Sequence, residues 1–220
     1  MAKRILVINP NSDRAVTAAM DRNLDRLRIE GGPTIVCATL DSSPLGIETA
    51  RHADQVVTPL CELIEREDHQ VSAFVIACFG DPGLASAREI TTKPIIGICE
   101  GGISSALNFG ERYGILTNVA ADINPALRYI RGLGLEARLA GIEAAGVAVV
   151  DLSDKRHARH PMRDAAQRLK HRGADVLVLG CAGMVDYASE LTLETGLEVV
   201  DPVFAATGLA LTAACARESA

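Results

Sequence analysis

Residues 73–83, AFVIACFGDPG, and residues 175–186, DVLVLGCAGMVD, decide how this chain reads. In each, a continuous apolar run of strand length ends at a cysteine and passes at once into a glycine-containing turn. A run that is apolar at every position, not at alternate ones, reads as a strand buried on both faces, which calls for a parallel sheet covered by helices. Cys78 and Cys181 thus stand at the carboxyl ends of buried strands, where open α/β sheets bind their ligands. A helix starting just beyond such a cysteine favours its thiolate. Two such thiols, one in each half of the chain, suggest a thiol/thiolate pair that moves a proton from one side of a carbon to the other.

Outward from these runs, strands are expected at 4–8, 34–40, 72–77 and 94–98 in the first half. In the second half they are expected at 113–116, weakly around Ala137, at 175–179 and at 197–200. The helices between them include one with Val16, Met20, Leu24 and Leu27 on a single face and one long helix over 49–67. The halves echo each other at a nearly constant offset, which suggests duplication of a four-strand unit. The expected fold class is α/β, with two pseudo-symmetric lobes, each a four-stranded parallel sheet flanked by helices, and the active site between them. The N-terminal lobe is expected to comprise 1–98 plus 204–220, and the C-terminal lobe 99–203.

A chain of 220 residues with 48% hydrophobic content has ample material for a core. Its net charge of −6 supplies no basic field, so neither nucleic acid nor a membrane surface is an expected partner. The start, MAKRILVINPN, turns polar too soon for a signal segment, and no apolar run approaches the ~20 residues of a membrane span. A cytoplasmic protein with a small-molecule substrate is expected, and a homo-oligomer. The six cysteines need no pairing in a reducing compartment, and Cys37, Cys61 and Cys215 read as small buried hydrophobes. His157, His160 and His171 belong to an exposed charged helix, while His52 and His69 are isolated; no metal-ligand pattern and no phosphate-binding glycine motif occurs.

Other strand ends carry chemistry-bearing residues. Asn9-Pro10-Asn11-Ser12 either caps the coming helix or holds a substrate carbonyl or carboxylate. In Cys78-Phe79-Gly80-Asp81-Pro82, glycine allows close backbone approach, and Asp81 with Pro82 is expected to set a helix start. Cys181-Ala182-Gly183 follows the same logic, and N–H groups near Gly80 and Gly183 are expected to stabilise an enolate-like oxygen. Thr117-Asn118 mirrors Asn9-Pro10 and reads equally as a plain turn or as a carbonyl-orienting pair. Cys99 has no evident partner, and Glu100 either caps a helix or forms a salt bridge across the lobe interface.

INPNS at 8–12, IACFGDPGL at 76–84 and LGCAGM at 179–184 together resemble hydantoin and allantoin racemases of the aspartate/glutamate racemase superfamily, over nearly the whole chain. The resemblance implies an enzyme without metal or other cofactor, in which Cys78 and Cys181 alternate as acid and base. It also implies ligand contacts at Asn9, Pro10, Phe79, Gly80, Thr117, Ala182 and Gly183. Amino-acid racemases of the superfamily carry Thr where this chain has Ala182, which favours a cyclic, largely uncharged substrate. Hydantoin-type members commonly have Thr-Thr at Thr117-Asn118, and an Ile-Glu-Gly turn where this chain reads Ile47-Glu48-Thr49. Retention of both cysteines favours racemisation over decarboxylation. Racemisation or isomerisation of a small amino acid or dicarboxylate, as in maleate isomerases, is the alternative within enzymes, and a two-lobed small-molecule binding protein the alternative outside them.

Overall fold

Apolar runs too short to stand alone pair into two parallel sheets in the computed structural model, which describes residues 4–216. Residues 1–3 and 217–220, which the expected N-terminal lobe includes, lie outside the described residues. The first sheet has the order β2-β1-β3-β4, from β1 (Arg4–Asn9), β2 (Thr34–Thr39), β3 (Ala73–Ile76) and β4 (Ile95–Gly97). The second repeats it as β6-β5-β7-β8, from β5 (Tyr113–Thr117), β6 (Leu139–Ala144), β7 (Val176–Leu179) and β8 (Glu198–Val200). All pairs are parallel, with Val7 opposite Val75 in one lobe and Ile115 opposite Val178 in the other.

The central strands are buried on both faces because helices cover both. In the first sheet Leu6, Ile8, Phe74 and Ile76 point towards Leu60 and Ile64 of α3 (Val57–Glu67) and Ala87 of α4 (Leu84–Ile90). Ile5, Val7 and Val75 point the other way, onto Val16 and Met20 of α1 (Arg14–Asn23) and onto Val203, Ala206 and Ala210 of α9 (Pro202–Ala216). In the second sheet α7 (Lys155–His171) covers Leu116, Leu177 and Leu179 with Met162, Ala165 and Leu169. On the opposite face Ile103 of α5 (Ile98–Ala106) and Ile130 of α6 (Ile123–Gly132) pack on Ile115 and Val178. Each such aliphatic side chain contributes roughly 1.5–3 kcal/mol of burial.

The C-terminal helix α9 therefore closes the sheet made by the first residues of the chain, touching β1, β3, β4 and α5. Glycines set its distance from α5. A Cβ on Gly101 would come 2.9 Å from that of Ala206, and one on Gly102 2.7 Å from that of Pro202.

Three local expectations are corrected. The strand expected around Ala137 begins later: Glu136–Arg138 is a 3₁₀ turn and β6 starts at Leu139. As an edge strand with only Ile142 buried, β6 carries little of the apolar signal that marks its neighbours. The long helix over 49–67 is two, α2 (Ala50–Gln55) and α3, broken at Val56. Pro59 is the cause, since it has no N–H for the Gln55 carbonyl and its ring would collide with that carbonyl. The face through Leu27 likewise ends its α-helix at Asn23, and Leu24–Leu27 continues as a 3₁₀ turn. No helix among the described residues is long and apolar enough to cross a membrane.

Candidate active site

Because β1, β3, β5 and β7 are the central strands, the loops leaving their carboxyl ends converge where each sheet reverses its winding, the place for a ligand crevice in such folds. A cavity of about 160 Å³ lies there between the lobes. The first lobe gives it Cys78, Phe79 and Gly80 from the β3 loop; the second gives Thr117 and Asn118 from β5 and Cys181, Ala182 and Gly183 from β7. Cys78 and Cys181 thus open onto one space from opposite lobes.

Asn9 and Pro10 do not reach the cavity wall. Asn9 is fully buried, its Nδ2 within 2.8 Å of Asn11 Oδ1, 3.1 Å of the Asp13 carbonyl and 3.0 Å of Thr17 Oγ1. Its Oδ1 accepts the Asn11 N–H, so the whole amide is spent on the loop. Asn9 instead positions Asn11, which does line the cavity. Asn11 Oδ1 also accepts the Asp13 N–H at 2.9 Å, which fixes the amide orientation and leaves Nδ2 as a donor with no acceptor among the described residues. The cap of α1 is Asp13, which accepts from Ala15 N at 2.8 Å.

The two thiols differ. Cys181 is the N-cap of a 3₁₀ segment, Ala182–Tyr187, and its Sγ accepts the Gly183 N–H at 3.3 Å. Cys78 lies six residues before α4, and its Sγ lies 3.7 Å from the Phe79 carbonyl oxygen, to which the thiol donates. The first contact favours thiolate and the second favours thiol. The expectation of two helix-stabilised thiolates therefore holds geometrically for Cys181 alone. Electrostatics are also less permissive than expected. Burial pushes the Cys181 thiol up to about 12, against the pull of the Gly183 N–H and with further elevation from Asp122 and Glu48. Burial pushes Cys78 well above the ordinary thiol range, and the charges of Cys181, Asp81 and Asp122 add to it.

The N–H groups expected to hold an enolate oxygen are engaged with sulfur. Gly183 faces Cys181 and Gly80 faces the buried Cys99. Gly80 sits at φ +93°, open to glycine and costly for other residues. Asp81 does not start α4; its carboxylate caps α5, accepting from Cys99 N at 2.8 Å and Glu100 N at 2.9 Å. It also accepts the hydroxyl of Tyr129, a cavity residue on α6, at 3.0 Å. Asp81 is 4% exposed, and burial raises its carboxyl to about 7. Glu100 pairs with Arg88 of α4 at 2.7 Å and lies 3.1 Å from the Tyr129 hydroxyl, so it ties the lobes together.

Glu48 and Asp122 also line the cavity. Glu48 accepts the Val149 N–H from the opposite lobe at 2.9 Å. The loop carrying Val149 is held in turn by Asn118, whose Nδ2 donates to the Val147 carbonyl at 3.3 Å. Asp122 accepts from Thr117 Oγ1 at 3.1 Å and from Val119 N at 3.4 Å. Burial raises its carboxyl, which Thr117 and Val119 oppose and Glu48 reinforces. Both acids follow strand carboxyl ends, β2 and β5, and that placement was the signal available for them. Lys, Arg and His are absent from the residues lining the cavity. Among the described residues no three His, Cys, Asp or Glu come together as a metal-ligand set.

Two parallel α/β lobes of identical strand order thus share a small cavity, with one thiol from each. The Asp/Glu/hydantoin racemase family model matches residues 5–210, and the chain belongs to that family of racemases. The hydantoin racemase of Paenarthrobacter aurescens is 34% identical over 94% of this chain and 89% of its own length. The allantoin racemase of Klebsiella pneumoniae superposes with a TM-score of 0.92 at 30% identity, covering 98% of this chain and 89% of its own. That of Pseudomonas fluorescens gives 0.90 at 25% identity, over 98% and 92%.

Proposed function

We propose that this racemase inverts C5 of 5-substituted hydantoins or of allantoin without a cofactor, with Cys78 and Cys181 as the proton-transfer pair. The observation that carries the reading is the cavity itself: a thiol from each lobe, two carboxylates, and no cation in the wall. A free amino acid or dicarboxylate would bring carboxylate charge into a small space with no cation to pair it, which is costly. A neutral ring with N–H groups has no such cost. The relatives named for hydantoin and allantoin point to the same substrates.

In one direction the Cys181 thiolate takes the C5 proton, and the C–H electron pair moves into the neighbouring ring carbonyl to give an enolate. The Cys78 thiol then protonates C5 from the other face, leaving Cys181 as thiol and Cys78 as thiolate. The reverse reaction exchanges the roles, and no proton is gained or lost overall. Asn11 Nδ2 is the free amide donor for the enolate oxygen. A single hydantoin enantiomer incubated in D₂O should lose optical rotation while deuterium enters C5. Absence of exchange with every hydantoin and with allantoin overturns the reading; ligand-induced stabilisation without turnover would point to a binding protein instead.

The elevated thiols fix the sign of the pH dependence. With Cys181 at about 12, its thiolate fraction grows about tenfold per pH unit below that value. Cys78, which burial holds well above the ordinary thiol range and whose Sγ donates to the Phe79 carbonyl, stays protonated as the acid over the same range. kcat/KM should therefore climb steadily from about pH 7 to about pH 9, by up to tenfold per unit. A flat or falling profile across that interval would refute this assignment of the base.

A further inference from the structure

We propose that Glu48 and Asp122 determine specificity by accepting the N–H groups of the substrate, one carboxylate from each lobe and each through the oxygen that the protein leaves free. This rests on the hydantoin reading above and assigns the contacts that would recognise the ring. Glu48 uses Oε1 for the Val149 N–H, and Asp122 uses Oδ2 for both Thr117 Oγ1 and Val119 N. Among the described residues, Glu48 Oε2 and Asp122 Oδ1 accept no hydrogen bond, and neither carboxylate enters an ion pair. Each side chain is thus held in place by one oxygen while the other stays available in the cavity wall.

Two carboxylates lining a small cavity without a cation are unfavourable to each other and to a Cys181 thiolate, and Asp122 opposes a Cys78 thiolate as well. A ligand with two N–H donors relieves that arrangement, since each donor meets an anionic acceptor and forms a charge-assisted bond. The hydantoin ring has an N–H on each side of its C2 carbonyl, and a ureido substituent carries more. The Glu48 anchor crosses between lobes, so an N–H bound at its second oxygen links the substrate to the same residue that joins the two walls.

The conservative amides separate recognition from folding. In Glu48→Gln and Asp122→Asn the anchoring oxygen remains an acceptor for its backbone N–H, while the free oxygen becomes an NH₂ donor. Hydantoin, 1-methylhydantoin and 3-methylhydantoin are the probes, titrated calorimetrically into the wild type and each variant, with thermal unfolding confirming that the variants are folded. The wild type should bind hydantoin about 10- to 100-fold tighter than the methylated rings, the loss of one hydrogen bond to a charged group. Each variant should lose its preference against one methylated ring and keep it against the other. Folded variants that both retain the full wild-type discrimination overturn the proposal while the substrate reading stands. A wild type that neither binds nor exchanges any hydantoin overturns both.

Discussion

Exchanging either cavity cysteine for serine is expected to lower racemisation by about 10²- to 10⁴-fold, because a hydroxyl cannot supply the thiolate base at workable pH. The two variants should fail differently. In Cys78→Ser the Cys181 sulfur and its Gly183 N–H remain, so the enantiomer presenting its C5 proton to Cys181 should still exchange that proton with solvent and return with retained configuration. In Cys181→Ser the surviving thiol is the one whose contact with the Phe79 carbonyl favours the protonated form and which has no N–H donor of the kind Gly183 gives Cys181. Its exchange, confined to the opposite enantiomer, should be the slower of the two. Chiral chromatography with deuterium incorporation by NMR separates exchange from inversion. Undiminished inversion in both variants would dispose of the two-thiol mechanism without touching the fold.

The second large effect is expected at a position with no ligand contact. Gly97→Ala should destabilise the protein by about 3–5 kcal/mol, the range of the severe buried lesions. A Cβ at Gly97 would overlap the carboxyl group of Asp81. Displacing that group orphans the Cys99 and Glu100 N–H groups at the start of α5, at about 1–3 kcal/mol for each buried donor left unpaired, and leaves the Tyr129 hydroxyl with Glu100 alone. It would also leave Asp81 at φ +51°, where a non-glycine residue is strained, with its compensating bonds gone. Since Asp81 N donates to the Cys78 carbonyl at 3.1 Å, the turn that presents the thiol should loosen as well. Urea unfolding and activity measured together test this. Gly132→Ala in α6, where a new Cβ meets nothing within 4 Å, is the control and should be neutral or stabilising by up to about 1 kcal/mol. Equal stability of the two variants would contradict the role given to Asp81.

Much of this was legible in the sequence wherever burial is continuous. β1, β3, β5 and β7 announce themselves because strands covered on both faces are apolar throughout, and repetition of that pattern gave the paired sheets. β6 is faint in the sequence because an edge strand has less to bury, and the break that Pro59 imposes within 49–67 is hidden because the apolar periodicity survives it. At the site, strand-end placement points to the residues beside the two cysteines, and these line the cavity. Asn9 ends its strand as a wall residue would, yet its amide is consumed by its own loop, and it is Asn11 that lines the cavity. Glu48, Asp122 and Tyr129 escaped because their part depends on which loops meet across the lobes. The helix that Asp81 caps begins seventeen residues further along, beyond the reach of local pattern.

The packing of α9 against β1, β3 and β4 has a consequence for synthesis. During translation the first sheet is complete in sequence once β4 has left the ribosome, but the face carrying Ile5, Val7 and Val75 lacks Val203, Ala206 and Ala210 until the far end of the chain emerges. The first lobe thus waits, with apolar strand surface uncovered, while the entire second lobe is made. That interval is where a nascent chain of this topology is most open to chaperone capture or aggregation.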